Sequence, residues 1–253
     1  MRRFRILNLL LGALWFVPHA PVFCAEPEAE KKTSEKPVVK TGSVRGQILF
    51  DGSIQQYKVL NPDVFKKAVR IDKKNLGLND VFVFLPSAPK NFPIAPPAKQ
   101  VLSLTIQNHQ FVPHCFLIQR RQELDLTNPG PRAENFHIRS VRNFAANILI
   151  APGRTQRIGR KHFRKRERNP IKIISDFSPK MSAYCLILDH PFAAISATDG
   201  SFVLDGLPAG EHELQIWHER AGFLDKKLRV KITAGQATEL EPLRFSHERF
   251  NFE

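Results

Sequence analysis

From Val101 onward the chain is a succession of short apolar runs: VLSLTI, FVPHCFLI, ELDLTN, NFHIRS and ANILIAP, punctuated mostly by Asn, Gly or Pro. None is longer than eight residues, and none repeats apolar residues every three or four positions over the length a helix needs. Short β-rich segments at this spacing bury their apolar side chains by stacking as sheets, so the pattern predicts an all-β sandwich or barrel. A core of that kind must hold the fold by itself. Beyond the leader the only cysteines are Cys115 and Cys185, too few to staple a scaffold.

The flanking regions extend the same reading. SVRGQILF sets Val44, Ile48 and Phe50 against polar neighbours before an Asp51-Gly52 turn, and VFVFLP is a fully apolar strand ended by Pro86. Residues 54–76 are ambiguous, with a short helix from Pro62 to Val69 as one reading. SAPKNFPIAPPAK is a Pro-rich connector with an extended path. After Pro191, Asp199-Gly200 and Asp205-Gly206 make turns, and Phe202 with Leu204, Leu214 with Ile216, and Leu228, Val230 and Ile232 alternate as strands do.

Residues 1–25 have the layout of a secretory signal peptide: Arg2, Arg3 and Arg5, an apolar run from Ile6 to Val17, and a small residue at Ala25. The run is too short for a stable span, so a periplasmic or otherwise exported product is expected, with an uncleaved anchor as the alternative. Phe23 directly before Cys24 is a poor lipidation context, which argues against a lipid anchor. Residues 26–41 are charged, Pro-containing and nearly free of large apolar groups, the composition of a disordered linker.

The formal charge is +14, and +11 without the three leader arginines. Residues 154–172 hold nine Lys or Arg against one Glu, so most of the basicity is one local patch. Arg157, Arg160, Lys161, Arg164, Lys165, Arg166 and Arg168 form its candidate polyanion site. A solvated turn is the simpler reading of such a run. Candidate partners are an anionic polymer, a lipid surface or an acidic protein, with nucleic acid disfavoured for an exported chain.

The stretch IKIISDFSPKMSAYCLILDHPF, residues 171–192, resembles the copper-ligand loop of bacterial cupredoxin-like envelope proteins, which typically reads Cys-Asp-Ile-His-Pro-Trp-Met. Asp176, Pro179 and Met181 match that frame. Ser175 stands for the Cys, Ser178 for the His and Lys180 for the Trp. Upstream, where the family reads His-Asn-x-His, this chain has Glu134-Asn135-Phe136-His137, so Glu134 replaces the first imidazole and His137 matches the second. The resemblance implies a Greek-key sandwich with a degenerate site of Glu134, His137, Ser175, Ser178 and Met181. A type-1 copper centre needs two imidazoles and a thiolate, so the site is expected to be copper-free. A weak mixed site of Glu134, His137 and Met181 is the alternative. The resemblance also sets the strand of Cys115 beside that of Cys185, which implies a disulfide between them in an oxidising compartment.

The segments GSVRGQILFDG and DGSFVLDGLPAGEHELQIWHE resemble the two halves of a carboxypeptidase-regulatory-like (prealbumin-like) β-sandwich, whose second half reads DGxFxLxxLPxGxYxLxV. The implied organisation is a cupredoxin-like domain (99–190) inserted into or joined to that sandwich, whose parts are 42–98, with the connector, and 191–246. A tail, 247–253, trails off or packs on a sheet edge. Asp189, His190, Trp217, His218 and Glu219 are expected to be structural, making turns and inter-domain hydrogen bonds. No nucleophile elbow, paired acids or phosphate-binding glycine loop is present. The expectation is therefore an exported, non-enzymatic binding or structural protein. The rivals are a copper protein for electron transfer or copper handling, and a polyanion- or carbohydrate-associated envelope protein acting through the basic patch.

Overall fold

The computed structural model describes residues 40–52, 69–90, 92 and 99–250. The leader, nearly all of the linker and of the 62–69 helix, the middle of the Pro-rich connector and residues 251–253 lie outside the described residues. The described chain is all-β, with one 3-10 turn as its only helix. Within it no helix is long and apolar enough to cross a membrane.

Strands β1 (Thr41–Asp51) and β2 (Phe82–Phe84) come first. There follow β3 (Leu102–Gln107), β4 (Gln110–Val112), β5 (Cys115–Gln119), β6 (Leu124–Asn128), β7 (Glu134–Ile138), β8 (Ala146–Ile150), β9 (Arg154–Ile158), β10 (Ile171–Ile174) and β11 (Ser182–Leu188). The last group is β12 (Ala193–Ile195), β13 (Ser201–Pro208), β14 (Gly210–His218), β15 (Gly222–Ile232), β16 (Ala237–Glu239) and β17 (Leu243–Ser246). They build four sheets. One has the order β13-β1-β16 with β17 also on β1, and a second the order β12-β2-β14-β15. The third runs β5-β11-β10-β7-β8 and the fourth β4-β3-β6-β9. The first pair draws strands from both ends of the described chain and the second pair only from between them; they are called here the outer and inner sandwiches.

Three apolar layers separate the four sheets, and strand periodicity shows why. In β2, Val83 belongs to the outer core with Val44, Ile48 and Phe50, while Phe82 and Phe84 face the other way into the junction between the sandwiches. In β11, Ala183, Cys185 and Ile187 enter the inner core, and Tyr184, Leu186 and Leu188 enter the same junction. Alternate residues of a strand point to opposite faces, so a strand covered on both sides must be apolar at every position. That is the physical meaning of the unbroken VFVFLP and YCLIL runs. Burying Phe82 and Phe84, both at most 1% exposed, contributes about 2–3 kcal/mol each.

Two local features differ from the sequence reading. FVPHCFLI is not one strand: Pro113 has no N–H to continue a ladder, and the chain leaves β4 in one sheet to begin β5 in the other. The first five residues of the basic run are β9, paired with β6, rather than a turn. At the Asp199-Gly200 turn only glycine fits, since Gly200 has φ +82° and a Cβ there would lie 2.2 Å from the Ile48 carbonyl oxygen. The described part of the tail does not trail away: Phe250 is buried in the outer core against Phe50.

Candidate functional site

In β7, Phe136 and Ile138 point into the inner core, and Glu134 shares their face at the strand's first position. In β10, Ile171 and Ile173 point inward, and the same alternation carries Ser175, just beyond the strand end, to the core's rim. Antiparallel pairing of Ile174 with His137 brings the two ends together. The Ser175 hydroxyl, fully buried, donates to Glu134 Oε1. Its oxygen accepts the Phe177 N–H at 3.1 Å and the Ser178 N–H at 2.9 Å. The Ser178 hydroxyl donates to Glu134 Oε2 at 2.9 Å. One carboxylate therefore bridges the two serines that stand in the ligand frame. Met181 is buried in the inner core below the loop, its N–H donating to the Ser178 carbonyl at 2.8 Å.

His137 does not join this group. It lies three residues past Glu134, so strand alternation turns it to the outer face of the sheet. There its Nδ1 lies 3.1 Å from Asp176 Oδ1. Asp176 Oδ2 also accepts from the side-chain amides of Asn135 and Asn147, each at 2.8 Å. The His137 hydrogen bond is the main reason that the Asp176 carboxyl lies below its usual range, with the two amides adding to it. The mixed site of Glu134, His137 and Met181 is thus corrected: Glu134 and His137 face opposite ways.

These residues do not fit copper. They offer a carboxylate, two neutral hydroxyls and a thioether where a type-1 centre takes two imidazoles and a thiolate. Nor do they fit a hard cation, which takes six or more oxygens, usually from several acidic groups or carbonyls. The hydroxyl protons are already aimed at Glu134, and Ser175 has no imidazole base to activate it. On its solvent side the pair Glu134 and Ser178 meets a cleft of about 670 Å³. Asn108 and His109 of the β3–β4 turn and the Pro129–Arg132 loop line its walls.

The disulfide is corrected as well: both cysteines are free and buried. β5 does run beside β11, but Cys115 pairs with Tyr184 and Cys185 with Phe116. An offset of one residue sends the two side chains to opposite faces, Cys115 into the junction and Cys185 into the inner core. Burial pushes both thiols well above the ordinary cysteine range, so neither is a ready thiolate.

The junction also holds a polar cluster in which Glu219, expected to make an inter-domain hydrogen bond, meets His114, which sequence reasoning did not single out. His114 Nε2 lies 2.7 Å from Glu219 Oε1, and Nδ1 lies 3.0 Å from the Ser182 carbonyl. Burial pushes the Glu219 carboxyl up, but the hydrogen bond and charge of His114, together with the neighbouring His218 and a hydrogen bond from Tyr184, leave the group below its usual range. Each ring nitrogen of His114 thus faces an oxygen, one from the carboxylate and one from the main chain. This pair ties β14's end to the inner sandwich. Asp80, His114 and Cys115 bring a carboxylate, a ring and a thiol within 4.8 Å of one another. They do not fit a metal either: both His114 nitrogens are engaged, the thiol is held protonated and Asp80 pairs with Arg70 at 3.2 Å. Nothing local in the sequence links His114 to a residue 105 positions away.

Of the expected structural residues, Trp217 packs on Phe82 and Tyr184 across the junction. His218 is buried and accepts the Arg220 N–H at 3.1 Å, and burial lowers it to about 4. His190 accepts the Phe192 N–H at 3.3 Å and stacks on that ring; burial lowers it, too, to about 4. Asp189 does not pin the crossing, since its buried Oδ1 has no hydrogen-bond partner.

The basic run divides by partner. Arg157 makes a two-pronged contact to Asp125 at 2.7 and 2.8 Å, Arg160 lies 3.9 Å from Glu123, and Arg166 donates to the Pro86 carbonyl. Lys161, Arg164, Lys165 and Arg168 are exposed and in none of the described ion pairs.

No protein-family model matches the chain. No curated protein matches it either. Among solved structures it is similar to a copper-containing nitrite reductase from Thermus scotoductus, with 16% identity over 38% of this chain and a TM-score of 0.30. It spans 25% of that enzyme's length. A purple cupredoxin from Nitrosopumilus maritimus matches over 34% of this chain and 98% of its own, with 11% identity and a TM-score of 0.28. A reduced amicyanin variant matches over 42% of this chain and 97% of its own, with 14% identity and a TM-score of 0.30. At such scores the likeness leaves fold and function to be argued from the residues themselves.

Proposed function

We propose that the protein is an exported, non-enzymatic binding or structural protein. In this reading a cupredoxin-like sandwich, carried by a carboxypeptidase-regulatory-like one, has exchanged its copper ligands for a closed hydrogen-bond cluster. The observation that carries the reading is the Glu134 carboxylate held between the Ser175 and Ser178 hydroxyls. Filling a former metal position with a carboxylate and two hydroxyl donors keeps the loop's geometry without the metal. It also satisfies buried polar atoms that would otherwise each cost about 1–3 kcal/mol. Export is supported by the composition of residues 1–25, and the outer sandwich's family by its DG, LP and WHE residues.

The test is copper titration of the purified chain with an absorption scan across the thiolate charge-transfer region, together with metal analysis of protein from its native compartment. The reading expects no coloured species and no stoichiometric copper. A blue or purple species, or one copper per chain, ends it and restores a redox role.

A further inference from the structure

The other end of the inner sandwich carries a surface that the copper frame does not explain. The connection from β7 to β8, residues 139–145, exposes two large apolar side chains, Val141 at 86% and Phe144 at 72%. Single exposed apolar residues are ordinary; two on one seven-residue connection that also carries Arg139 and Arg142 are not. Arg139, Arg142, Arg168 and Lys172 line an open groove of about 390 Å³ beside Val141, floored by Pro170 and Ile171. Arg164 and Lys165 follow on the adjoining segment. None of these six cations is in an ion pair among the described residues.

The acid nearest by sequence is turned inward. Glu167, 3% exposed, accepts the Arg142 N–H at 2.9 Å, the Asn143 N–H at 3.2 Å and the Asn143 side-chain amide at 2.9 Å. Asn143 in turn accepts the Lys165 N–H and donates to the Lys165 carbonyl, both at 2.8 Å. The two segments are thus stapled together before any ligand arrives, with the carboxylate inside and the cations outside.

We propose that this end of the molecule docks on the surface of an anionic lipid bilayer. Val141 and Phe144 enter the boundary between headgroups and acyl chains, and the arginines and lysines around them meet the headgroups. Apolar side chains at the tip with cations behind them are what an interfacial anchor requires. A soluble polyanion would use the cations and leave Val141 and Phe144 in water, so the apolar pair selects the bilayer. The inference does not depend on whether the Glu134 end holds copper.

The experiment is co-sedimentation of the full chain with phosphatidylcholine vesicles and with vesicles containing about 30% phosphatidylglycerol, at low and physiological salt. The apolar run of residues 6–17 is common to every variant, so the readout is the ratio of anionic to neutral partition. The expected ratio is well above one and falls with salt. It drops roughly 20-fold in R142S/R168S, at about fivefold per cation near such a surface. The double variant V141S/F144S leaves the ratio nearly unchanged and lowers the partition onto the anionic vesicles themselves about tenfold relative to the parent chain. Unchanged urea midpoints show that both variants fold. Heparin is the soluble comparison, and its retention is expected to be unaffected by V141S/F144S. A ratio near one overturns the proposal. So does a ratio that falls in R142S/R168S while the partition of V141S/F144S onto the anionic vesicles equals that of the parent chain, which would assign the cations to a soluble polyanion.

Discussion

Glu134 and Glu167 sit at opposite ends of the inner sandwich and use their charge in opposite ways. β10 runs between them: the basic segment enters it at Ile171 and the Ser175 loop leaves it after Ile174. At one end Glu134 faces two serine hydroxyls, and donors and acceptors close on each other. At the other, Glu167 takes backbone and amide N–H groups from the 140s connection, and the surrounding cations are in no ion pair among the described residues. The half-buried Glu134 carboxylate thus holds the ligand-frame loop through side-chain hydroxyls, whereas the buried Glu167 carboxylate holds a charged surface mostly through main-chain N–H groups. The end that resembles a known site is chemically quiet, and the end with no counterpart in the resemblance holds the unspent charge.

The largest expected effect reverses the quiet end. Changing Glu134→His, Ser175→Cys and Ser178→His together returns two imidazoles and a thiolate to the frame above Met181, and copper(II) should then give an intense charge-transfer band that the parent lacks. If the triple variant folds with a native urea midpoint and stays colourless, these positions do not converge as a ligand set, and the comparison loses one side.

Acid should reach neither end first. His190 and His218 are held neutral, each lowered by burial to about 4, whereas an unfolded histidine titrates near 6.5. Below about pH 6.5 the unfolded chain takes up protons the folded one refuses. Stability is therefore present above that pH, is lost as pH falls toward 4 and levels off below it. From pH 7 to 5 the loss is about 2 kcal/mol per histidine, or about 4 kcal/mol for both. His218→Asn keeps an acceptor for the Arg220 N–H and removes one titration, so the slope of urea stability against pH should halve. An unchanged slope would place the acid sensitivity elsewhere, with the two poles the first places to look.

Much of the architecture was legible because burial on two faces writes itself as an unbroken apolar run, as in VFVFLP and YCLIL, and burial on one face as alternation, as in Val44, Ile48 and Phe50. What pairs with what was less so. The parallel neighbours β5 and β11 followed from resemblance, but their register did not, and one residue of offset separates Cys115 from Cys185. At the candidate site the loop frame brought Ser175, Ser178 and Glu134 to one place, whereas His137 needed only strand parity to be turned away. The His114–Glu219 contact and the inward turn of Glu167 depend on long-range packing with no local signature. Phe250 lies near the end of a charged tail, and only its contact with Phe50 reveals it as core.

Glu167→Ala probes the charged end directly. It removes the acceptor for three N–H groups in a site that water barely reaches, which should lower stability by about 3 kcal/mol, read as a shift of the urea midpoint. The same change should unstaple the 140s connection, so the anionic-to-neutral vesicle ratio should fall although a negative charge has been removed. A rise in that ratio would show that net charge, and not the held geometry, governs the surface.

The smallest expected effect is the most selective. Arg157 belongs to the basic run, yet its guanidinium is matched by Asp125, whose carboxyl is held below its usual range by that hydrogen bond. The double change D125N/R157Q removes one cation from the run and its acid with it. If only unmatched cations act on a bilayer, the vesicle ratio should stay within about a factor of two, against about fivefold for Arg168→Gln alone. Equal losses in both variants would mean that the whole run acts as one field, and the distinction between matched and unmatched cations at this end of the molecule would fall.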